Sequence, residues 1–309
     1  WNRIEDVYEV TTESGRRVTA NAQHPLYAAD YLGRNGKSSA APVGNIGWRQ
    51  VRDLRVGDVV AVPTILPAYG DEEQEPALVK VAAYLVSKGH RAKFAQAPGP
   101  VLREYRESLG ELGQGVSAQA PNVYFAWSSP LGQRLEALGM RGPDSHDKAI
   151  PDFVWRLPRH QLALFINRLW AGDGTFWCSP PGARSRYGAG HAEYTTTSER
   201  LARDVQHALL RLGVSSKLRR CKAGLDGERV EGEAWCVLVH GAEDLLRFDE
   251  AIGPVLGKEY TQAAVMAVAR DVQRHRDERR RYASWRDHDL PTSLRWEKVV
   301  SIEPKGQKM

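Results

Sequence analysis

Hydrophobic and polar residues alternate along the N-terminal part of the chain, up to about residue 66. Residues 6–12 alternate, a turn around Gly15 follows, and residues 17–20 run back, which predicts a β-hairpin. A Gly-Asp turn then precedes the apolar residues 59–62, which predict a further strand. The N-terminal segment is therefore expected to be β-rich.

From residue 76 the spacing of apolar residues changes to that of helices. Apolar positions recur at i, i+4, i+7 and i+8 in residues 77–87 and again in residues 159–172, before Gly89 and Gly174 respectively. Aligning the two glycines gives an offset of 174 − 89 = 85 residues and superimposes the two apolar faces. The offset predicts an internal repeat, with two similar halves that face each other.

The second half of the repeat carries the stronger pattern. Residues 159–252 predict the order helix, strand, strand, helix, strand, strand, helix, which is an α+β unit. In the first half, residues 91–96 and 122–127 are the clearest strand candidates. A basic helical stretch follows at residues 263–286, and a strand pattern returns at residue 294. The helical region is therefore flanked by β-rich segments on both sides.

The composition is that of a globular protein. With 309 residues, 42% of them hydrophobic and 26% charged, the chain is expected to form about two globular domains. The net charge is 43 − 38 = +5, a weak basic bias that is compatible with a polyanionic partner without selecting one. No apolar run is long enough to span a membrane, and the first residues do not resemble a signal peptide, so we expect a soluble protein.

The chain has three cysteines, Cys178, Cys221 and Cys236. Their number is odd, and no two of them have the spacing of a Cys-x-x-Cys pair. We therefore predict unpaired thiols in a reducing compartment and no zinc site.

Five segments follow one another in the order and at the spacing of a known family's motifs. They are residues 18–26, which contain His24-Pro25; residues 48–62, with a tryptophan, apolar residues and a Gly-Asp turn; residues 148–151; residues 166–174, with the sequence Ile-Asn-Arg-Leu-Trp-Ala-Gly-Asp-Gly; and residues 296–306. Together they resemble an intein with an embedded LAGLIDADG (DOD-type) homing endonuclease. The segment that ends at Gly174 is most similar to inteins of bacterial replicative DNA helicases.

The resemblance implies an α+β fold, in which a β-rich Hint (Hedgehog/intein) splicing domain is interrupted by a pseudo-two-fold αββαββα LAGLIDADG endonuclease domain. The splicing domain would consist of residues 1–68 and residues 293–309. The endonuclease domain would be residues 72–290, with half-repeats at about 75–157 and 159–285. Both ends of the chain fall inside the family's pattern. We therefore expect a piece of a longer, cytoplasmic bacterial polypeptide whose flanking partner, the host protein, is a replicative helicase.

The resemblance also implies roles in splicing. His24 occupies the position of the family's histidine beside the first scissile peptide bond, where an imidazole donates a proton to the departing amide nitrogen. Asn21 stands where threonine is usual, and its amide is also able to hydrogen-bond a peptide carbonyl. The alternative for His24 is a turn histidine before a proline. The family's N-terminal nucleophile and C-terminal His-Asn pair have no match, so splicing, which needs no cofactor, is expected only in a full-length parent.

In the family's nuclease, each motif helix ends with an acidic residue, and the two carboxylates hold divalent metal ions such as Mg²⁺ over the DNA. Asp173 fills this position in the second half and is the candidate metal ligand and catalytic carboxylate. Lys88 stands at the equivalent position in the first half, where an ammonium repels a cation, and we expect it to form an ion pair with Asp173. Lys148 resembles the family's accessory catalytic lysine, with a surface lysine before a turn as the alternative.

For DNA contact the family uses β-ribbons in the major groove, where alternate residues reach bases and phosphates. The resemblance points to basic residues on a loop and a strand of the second half: Arg184, Arg186, Lys217, Arg219, Arg220 and Lys222. Another basic run, at residues 274–281, is interspersed with acidic residues, which is typical of a solvated helix face. Double-stranded DNA is therefore the predicted ligand.

Three functions fit these patterns. The first is site-specific, metal-dependent cleavage of an allele that lacks the insertion. The second is a degenerate, cleavage-deficient nuclease that acts as a DNA-binding or structural insertion. Lys88 and the strand-poor first half favour this second function, whereas Asp173 and the well-formed second half favour the first. The third, a free-standing LAGLIDADG-like regulator, is disfavoured by the β-rich segments at both ends. No GxxxxGK[ST] loop occurs in the chain, which excludes a helicase activity of its own.

Overall fold

A computed structural model describes residues 5–30, 45–90, 93–115, 122–124, 129–140, 147–182, 188–225, 228–280 and 293–308. The chain forms two compact units: Trp1–Ile65 together with Arg281–Met309, and Leu66–Arg280. Within these described ranges, no helix is long and apolar enough to cross a membrane.

The strands and helices have the following bounds. The strands are β1 Glu5–Thr12, β2 Arg17–Asn21, β3 Pro25–Ala29, β4 Gly47–Gln50, β5 Val59–Pro63, β6 Gly89–His90, β7 Lys93–Ala95, β8 Asn122–Tyr124, β9 Gly174–Ser179, β10 Ala189–Thr196, β11 Lys217–Leu225, β12 Glu228–His240 and β13 Leu294–Lys308. The helices are α1 Pro76–Lys88, α2 Pro100–Glu111, α3 Pro130–Ala137, α4 Arg159–Asp173, α5 Glu199–Arg211, α6 Ala242–Ile252 and α7 Glu259–Arg280, with 3₁₀ turns at Val51–Asp53 and Asp152–Arg156.

The first unit is built on a six-stranded sheet in the order β2-β1-β13-β5-β3-β4. The C-terminal strand β13 lies inside this sheet, because it pairs antiparallel with β1 and also with β5. Val10, Val60 and Val299, one from each of these strands, are buried in one small hydrophobic cluster. The N-terminal and C-terminal parts of the chain therefore share one sheet and one core.

A buried carboxylate joins the same two parts. Glu297 on β13 is 2% exposed and accepts hydrogen bonds from Thr12 Oγ1 at 2.6 Å and Ser14 Oγ at 2.5 Å. Arg295 Nη2 donates to its other carboxylate oxygen at 2.6 Å. Burial alone would raise the pKa of Glu297, but the charge of Arg295 and the hydroxyl donors lower it below its ordinary value. The buried charge is therefore compensated where β1 and β13 meet.

The second unit contains two sheets and a central pair of helices. The sheets have the strand orders β11-β12-β10-β9 and β6-β7-β8. Helices α1 and α4 pack against each other, and most of their residues are buried. From residue 159 the predicted order is confirmed, since α4, β9, β10, α5, β11, β12 and α6 follow one another.

Helix α5 shows how the sequence directs this half. The Ser198 hydroxyl caps the helix by accepting a hydrogen bond from the Leu201 N–H at 3.2 Å. Gly213 follows the helix with φ 84°, the left-handed conformation that ends many helices. Leu201, Val205 and Leu209 form a fully buried stripe between these two signals. The cap, the stripe and the glycine all predict the helix that is present.

The first half resembles the second less closely. Its described elements are α1, β6, β7, α2, β8 and α3, and its strands are only two or three residues long. Helix α2 begins with Pro100 at a position that favours proline, and Leu102, Tyr105 and Leu109 form its buried stripe. The predicted αββαββα order therefore holds as far as α2 and one following strand. Residues 116–121 and 125–128, beside that strand, lie outside the described residues.

One partly buried network connects α2 with both central helices. Arg168 on α4 donates a hydrogen bond from Nε to Glu104 Oε2 at 2.6 Å and another from Nη2 to Oε1 at 2.8 Å. The Tyr84 hydroxyl on α1 donates to Oε2 at 2.5 Å, and Lys80 Nζ lies 3.2 Å from Oε1. Burial alone would raise the pKa of Glu104, but the hydrogen bonds and charges of these partners lower it to about 2.

The prediction of three unpaired thiols is wrong. Cys221 on β11 and Cys236 on β12 form a disulfide with a Cα–Cα distance of 6.2 Å, and Cys178 is free. The two residues are 15 apart in sequence and meet because the β11–β12 hairpin folds back on itself. Motif spacing could not reveal this pair, because its proximity depends on the register of the hairpin.

Candidate functional site

Equivalent residues of the two halves meet at the ends of α1 and α4. With the offset of 85 residues, Ser87 corresponds to Gly172 and Lys88 corresponds to Asp173. A Cβ atom added at Gly172 would lie 2.2 Å from Ser87 Oγ, and Lys88 Nζ lies 2.8 Å from Asp173 Oδ1. When a residue contacts the residue at the equivalent position of the other half, a two-fold axis relates the two halves at that point. The local pseudo-symmetry axis therefore passes between these two helix ends.

The ion pair between Lys88 and Asp173 is present, as expected from their positions in the repeat. The Lys88 side chain is 38% exposed and the Asp173 side chain 23% exposed, so the pair is partly shielded from water. Lys88 is the last residue of α1, where a cation interacts favourably with the helix dipole. Both the Asp173 carboxylate and the C-terminal end of the α1 dipole therefore stabilise the Lys88 ammonium at this position.

Two largely buried lysines lie near the ion pair. Lys148 Nζ donates a hydrogen bond to the Ser87 carbonyl oxygen at 2.7 Å, in the last turn of α1. Lys258 Nζ donates to the carbonyl oxygens of Trp170, at 2.9 Å, and of Gly174, at the end of α4. Each ammonium thus binds carbonyl groups at a helix end, where the helix itself supplies no partner.

Burial and the neighbouring charges set the protonation of these lysines. Burial lowers the pKa of Lys148, Asp173 raises it and Lys88 lowers it, and the net result is a lowered pKa. The same three influences lower the pKa of Lys258 to about 8. No sequence signal connects Lys258 with Asp173, because it is a single lysine in the loop before α7 and belongs to no motif.

These side chains do not fit a divalent metal ion. Mg²⁺ is held by several oxygen ligands, mostly carboxylates and water. Asp173 is the one carboxylate among the four side chains, and it is paired with Lys88. In the part of the chain that the structure describes, no group of three or more His, Cys, Asp or Glu side chains could hold a metal ion. A cation at Asp173 would meet the positive charges of Lys88, Lys148 and Lys258.

The four-stranded sheet has one face covered by helices and one exposed face. Leu218 and its cross-strand partner Val237 are buried, so they mark the covered face. Side chains alternate along a strand, which places Lys217 and Arg219 on the exposed face. Arg219 Nη2 there lies 3.0 Å from Glu193 of β10. Two of the predicted DNA-contact residues therefore share an exposed surface.

Arg220 lies on the other side of the same strand. Its guanidinium carbon is 5.0 Å from the ring centre of Trp235, and its Nη1 is 3.3 Å from Glu233. Arg203 of α5 also lies over the Trp235 ring, at 5.9 Å, which confirms that this ring is on the helix-covered side. The strand therefore presents Arg219 and Arg220 in opposite directions.

The exposed face carries aromatic groups that the motifs do not identify. Trp177 on β9 is 37% exposed, and its ring stacks on that of His191 on β10 with a centroid distance of 5.2 Å. His191 is also the register partner of His240 on β12. Strand alternation, once the register is known, is the signal that connects these residues with Lys217 and Arg219.

The remaining predicted DNA-contact residues are Lys222, Arg184 and Arg186. Lys222 is on β11 at the register position opposite Glu233. Arg184 and Arg186 lie outside the described residues.

The predicted splicing residues lie in the first unit. His24 is exposed between β2 and β3, and its backbone N–H donates to the Asn21 carbonyl oxygen at 3.2 Å. The Asn21 side-chain amide donates to Glu5 Oε2 at 2.5 Å. The His24 carbonyl oxygen accepts from the Val51 N–H at 3.0 Å, which fixes the backbone of this turn against the following 3₁₀ turn.

Comparison with known proteins adds four findings. The chain is 29% identical over 285 residues to the replicative DNA helicase DnaB of Rhodothermus marinus, which covers 86% of the chain and 28% of the helicase. It is 27% identical over 319 residues to a DNA gyrase protein of Mycobacterium kansasii, which covers 94% of the chain and 54% of that protein. A crystal structure of the I-SmaMI LAGLIDADG homing endonuclease bound to cleaved DNA covers 67% of the chain and is itself covered to 92%, with 11% identity and a TM-score of 0.37.

The chain spans about three tenths of the length of the helicase relative and about half of the gyrase relative. A family model described as a LAGLIDADG-like domain matches residues 160–253. These residues contain nearly all of α4, the four-stranded sheet, α5 and α6, and they include Asp173 at the end of α4. Residues 160–253 of this chain are therefore similar to a LAGLIDADG-like domain.

Proposed function

We propose that the chain is part of an intein whose homing-endonuclease-like region, residues 72–290, binds double-stranded DNA but does not cut both of its strands. The two relatives support an inserted element. Most of the chain matches both a replicative helicase and a gyrase, although these names describe different activities. A region shared in this way is expected of an insertion that carries a function of its own.

The observation that carries the proposal is the Lys88–Asp173 ion pair. Two carboxylates would be needed at the pseudo-two-fold axis to hold metal ions for both strands. One of these positions holds an ammonium, 2.8 Å from the remaining carboxylate. Lys148 and Lys258 add positive charge nearby instead of oxygen ligands. The lysines around Asp173 are therefore proposed to take the place of metal ions, so that the chain has lost double-strand cleavage.

DNA binding is proposed for the exposed face of the four-stranded sheet. Lys217 and Arg219 are on this face, and a guanidinium or ammonium there neutralises a phosphate and releases a counterion. Trp177 on β9 and His191 on β10 offer stacked rings on the same face of the sheet. Lys88 and the two buried lysines lie at the helix ends of the same unit and leave a net positive charge around Asp173.

The splicing function is proposed for residues 1–68 and 293–309, as the two parts of a Hint domain. His24 would donate the proton to the amide nitrogen that leaves when the first peptide bond breaks. The host is proposed to be a replicative DNA helicase, which supplies the flanking segments, and the compartment is the bacterial cytoplasm. The sheet that joins β1, β13 and β5 supports this assignment, because it makes one unit from both ends of the chain.

A plasmid assay tests the nuclease part of the proposal. The substrate is supercoiled plasmid carrying the helicase coding sequence from which the insertion has been removed, with and without Mg²⁺. The wild-type chain is expected to bind this DNA and to leave it unlinearised, and the Lys88→Glu variant is expected to gain Mg²⁺-dependent cleavage. Asp173→Asn in the Lys88→Glu background is the control and should abolish that gain.

The outcomes separate the candidate functions. Mg²⁺-dependent linearisation by the wild-type chain, lost in Asp173→Asn, would establish an active homing endonuclease and overturn the proposal. Mg²⁺-dependent nicking of one strand that is lost in Asp173→Asn would show that Asp173 still holds a metal ion beside Lys88, and would contradict the proposal that their ion pair excludes one. If the wild-type chain neither binds nor cuts the plasmid, DNA binding is excluded and only a structural role remains for the insertion.

A further inference from the structure

The disulfide lies across the hairpin that carries Lys217 and Arg219. In the antiparallel pair of β11 and β12, Arg219 is opposite Cys236 and Cys221 is opposite Ala234. The two cysteines are therefore diagonal neighbours, and their bond joins the strands where the hairpin continues toward its tip. The cross-link closes a loop whose ends are 15 residues apart in sequence.

The disulfide is on the exposed face of the sheet. Cys236 has the opposite orientation to its neighbour Val237, which is fully buried on the helix side. Its Sγ lies 3.7 Å from the Thr195 hydroxyl on β10, and its register partner is Arg219. The bond therefore sits within the surface for which DNA binding is proposed.

We propose that the Cys221–Cys236 disulfide controls the affinity of this sheet for DNA, with the oxidised form binding more tightly than the reduced form. This inference rests on the proposed DNA-binding function. A cross-link that closes a loop removes conformations from the free hairpin. Binding then costs less conformational entropy, because the cross-link holds β11 in register with β12 immediately beyond Arg219.

The different exposure of the two cysteines indicates which of them a reductant attacks. Cys236 is 2% exposed, whereas Cys221 is partly exposed, so a dithiol reductant reaches Cys221 Sγ first. Its thiolate attacks that sulfur, the S–S bond breaks, and Cys236 leaves as a thiolate that takes up a proton. The second thiol of the reductant then displaces Cys221 from the mixed disulfide. Two electrons pass to the protein, and the reductant becomes a disulfide.

The proposal has a reciprocal consequence. If oxidation raises DNA affinity by some factor, bound DNA must favour the oxidised form by the same factor. DNA also covers the face on which Cys221 is attacked. Reduction of the protein–DNA complex is therefore expected to need a stronger reducing mixture than reduction of the free chain.

Binding of fluorescein-labelled duplex DNA to the full chain tests the inference. The duplex carries the uninterrupted helicase sequence, and titrations are run at one salt concentration before and after reduction with dithiothreitol. Reduction is expected to weaken binding by roughly tenfold. A Cys221→Ser variant should bind like the reduced wild type with or without dithiothreitol. Cys178→Ser, which leaves the disulfide in place, should keep the full response.

Three results would overturn the inference. Equal affinity of the oxidised and reduced wild type would exclude redox control while leaving DNA binding intact. Absence of binding in both states would contradict the proposed DNA-binding function, and the inference with it. Thiol titration of the unreduced chain accompanies the assay: one reactive thiol is expected, since only Cys178 is free, and three would show that the bond does not form.

Discussion

At the scale of single residues, the contact between Gly172 and Ser87 determines how closely the two central helices approach. A Cβ atom at Gly172 would lie 2.2 Å from Ser87 Oγ and 2.7 Å from Ser87 Cβ, distances that require one helix to move. The neighbouring pair, Lys88 and Asp173, depends on this approach for its 2.8 Å separation. The glycine is therefore a structural requirement of the ion pair.

Gly172→Ala is expected to destabilise the protein by about 1–3 kcal/mol, because overpacking forces a shift of packed helices. Urea unfolding measures this change in the free energy of unfolding. Gly110→Ala on α2 is the matched control, since an added Cβ there meets no atom within 4 Å, and it should be neutral or stabilising. Ser87→Gly should relieve the destabilisation in the Gly172→Ala background. Failure of that double variant to recover would show that Ser87 is not the obstacle.

The sequence predicts some members of this site and not others, for a physical reason. Lys88 and Asp173 could be paired in advance, because the helical period and the two closing glycines set their register. Lys258 could not, because its approach to Gly174 depends on the path of the loop before α7. The importance of Gly172 likewise follows from the helix crossing and not from any local propensity.

At the scale of elements, strand alternation divides the basic residues of β11. Arg219 pairs with Glu193 on the exposed face, whereas Arg220 lies over Trp235 on the side where α5 packs. The sequence alone treats the two arginines as equivalent. The sheet register makes them different, because adjacent side chains of a strand point to opposite faces.

Arg219→Ala is therefore expected to weaken DNA binding and to reduce the slope of log affinity against log salt concentration by about 1. Arg220→Ala is the matched control, with the same loss of charge, and is expected to leave the slope unchanged. Fluorescence anisotropy over a series of salt concentrations measures both. Equal slopes for the two variants would contradict the assignment of DNA to the exposed face.

Helix α2 is held to α1 and α4 by the carboxylate of Glu104. Its pKa of about 2 is below the ordinary value of 4.5, so the unfolded chain binds more protons than the folded chain between these pH values. The stability from this group is present above about pH 4.5 and is lost as the pH falls toward about 2. The pKa is lowered because the hydrogen bonds from Arg168 and Tyr84 favour the charged carboxylate over the neutral one.

Glu104→Gln is expected to lower the free energy of unfolding at neutral pH by about 2–3 kcal/mol and to flatten its decrease in acid. Urea unfolding at a series of pH values gives both quantities. Glu107→Gln, at an exposed position of the same helix, should change neither. An unchanged acid dependence in Glu104→Gln would assign the pH effect to other carboxylates.

The sequence predicts elements best where several local signals coincide. In the second half, caps, apolar stripes and glycines agree, and the order from α4 to α6 is confirmed. In the first half the strands β6, β7 and β8 have two or three residues each, too few to establish a period. The disulfide shows the same limit, since Cys221 and Cys236 become neighbours only through hairpin register.

At the scale of the whole molecule, each unit joins parts of the chain that are distant in sequence. In the first unit β13 completes the sheet begun by β1, and Glu297 of that strand accepts hydrogen bonds from Thr12 and Ser14. In the second unit, α1 and α4 meet at equivalent positions of an internal repeat. The repeat brings two equivalent positions together, and the chain fills them with one carboxylate and one ammonium.

A titration with Mn²⁺, followed by the electron paramagnetic resonance signal of the free ion, measures whether the Lys88–Asp173 ion pair excludes a metal ion. Wild type and Lys88→Gln are expected to take up no Mn²⁺ at the helix ends, whereas Lys88→Glu should bind it and lose binding again when Asp173→Asn is added. The Lys88→Gln variant separates loss of the positive charge from gain of a ligand. Mn²⁺ binding by the wild-type chain that disappears in Asp173→Asn would show that the ion pair does not exclude a metal ion.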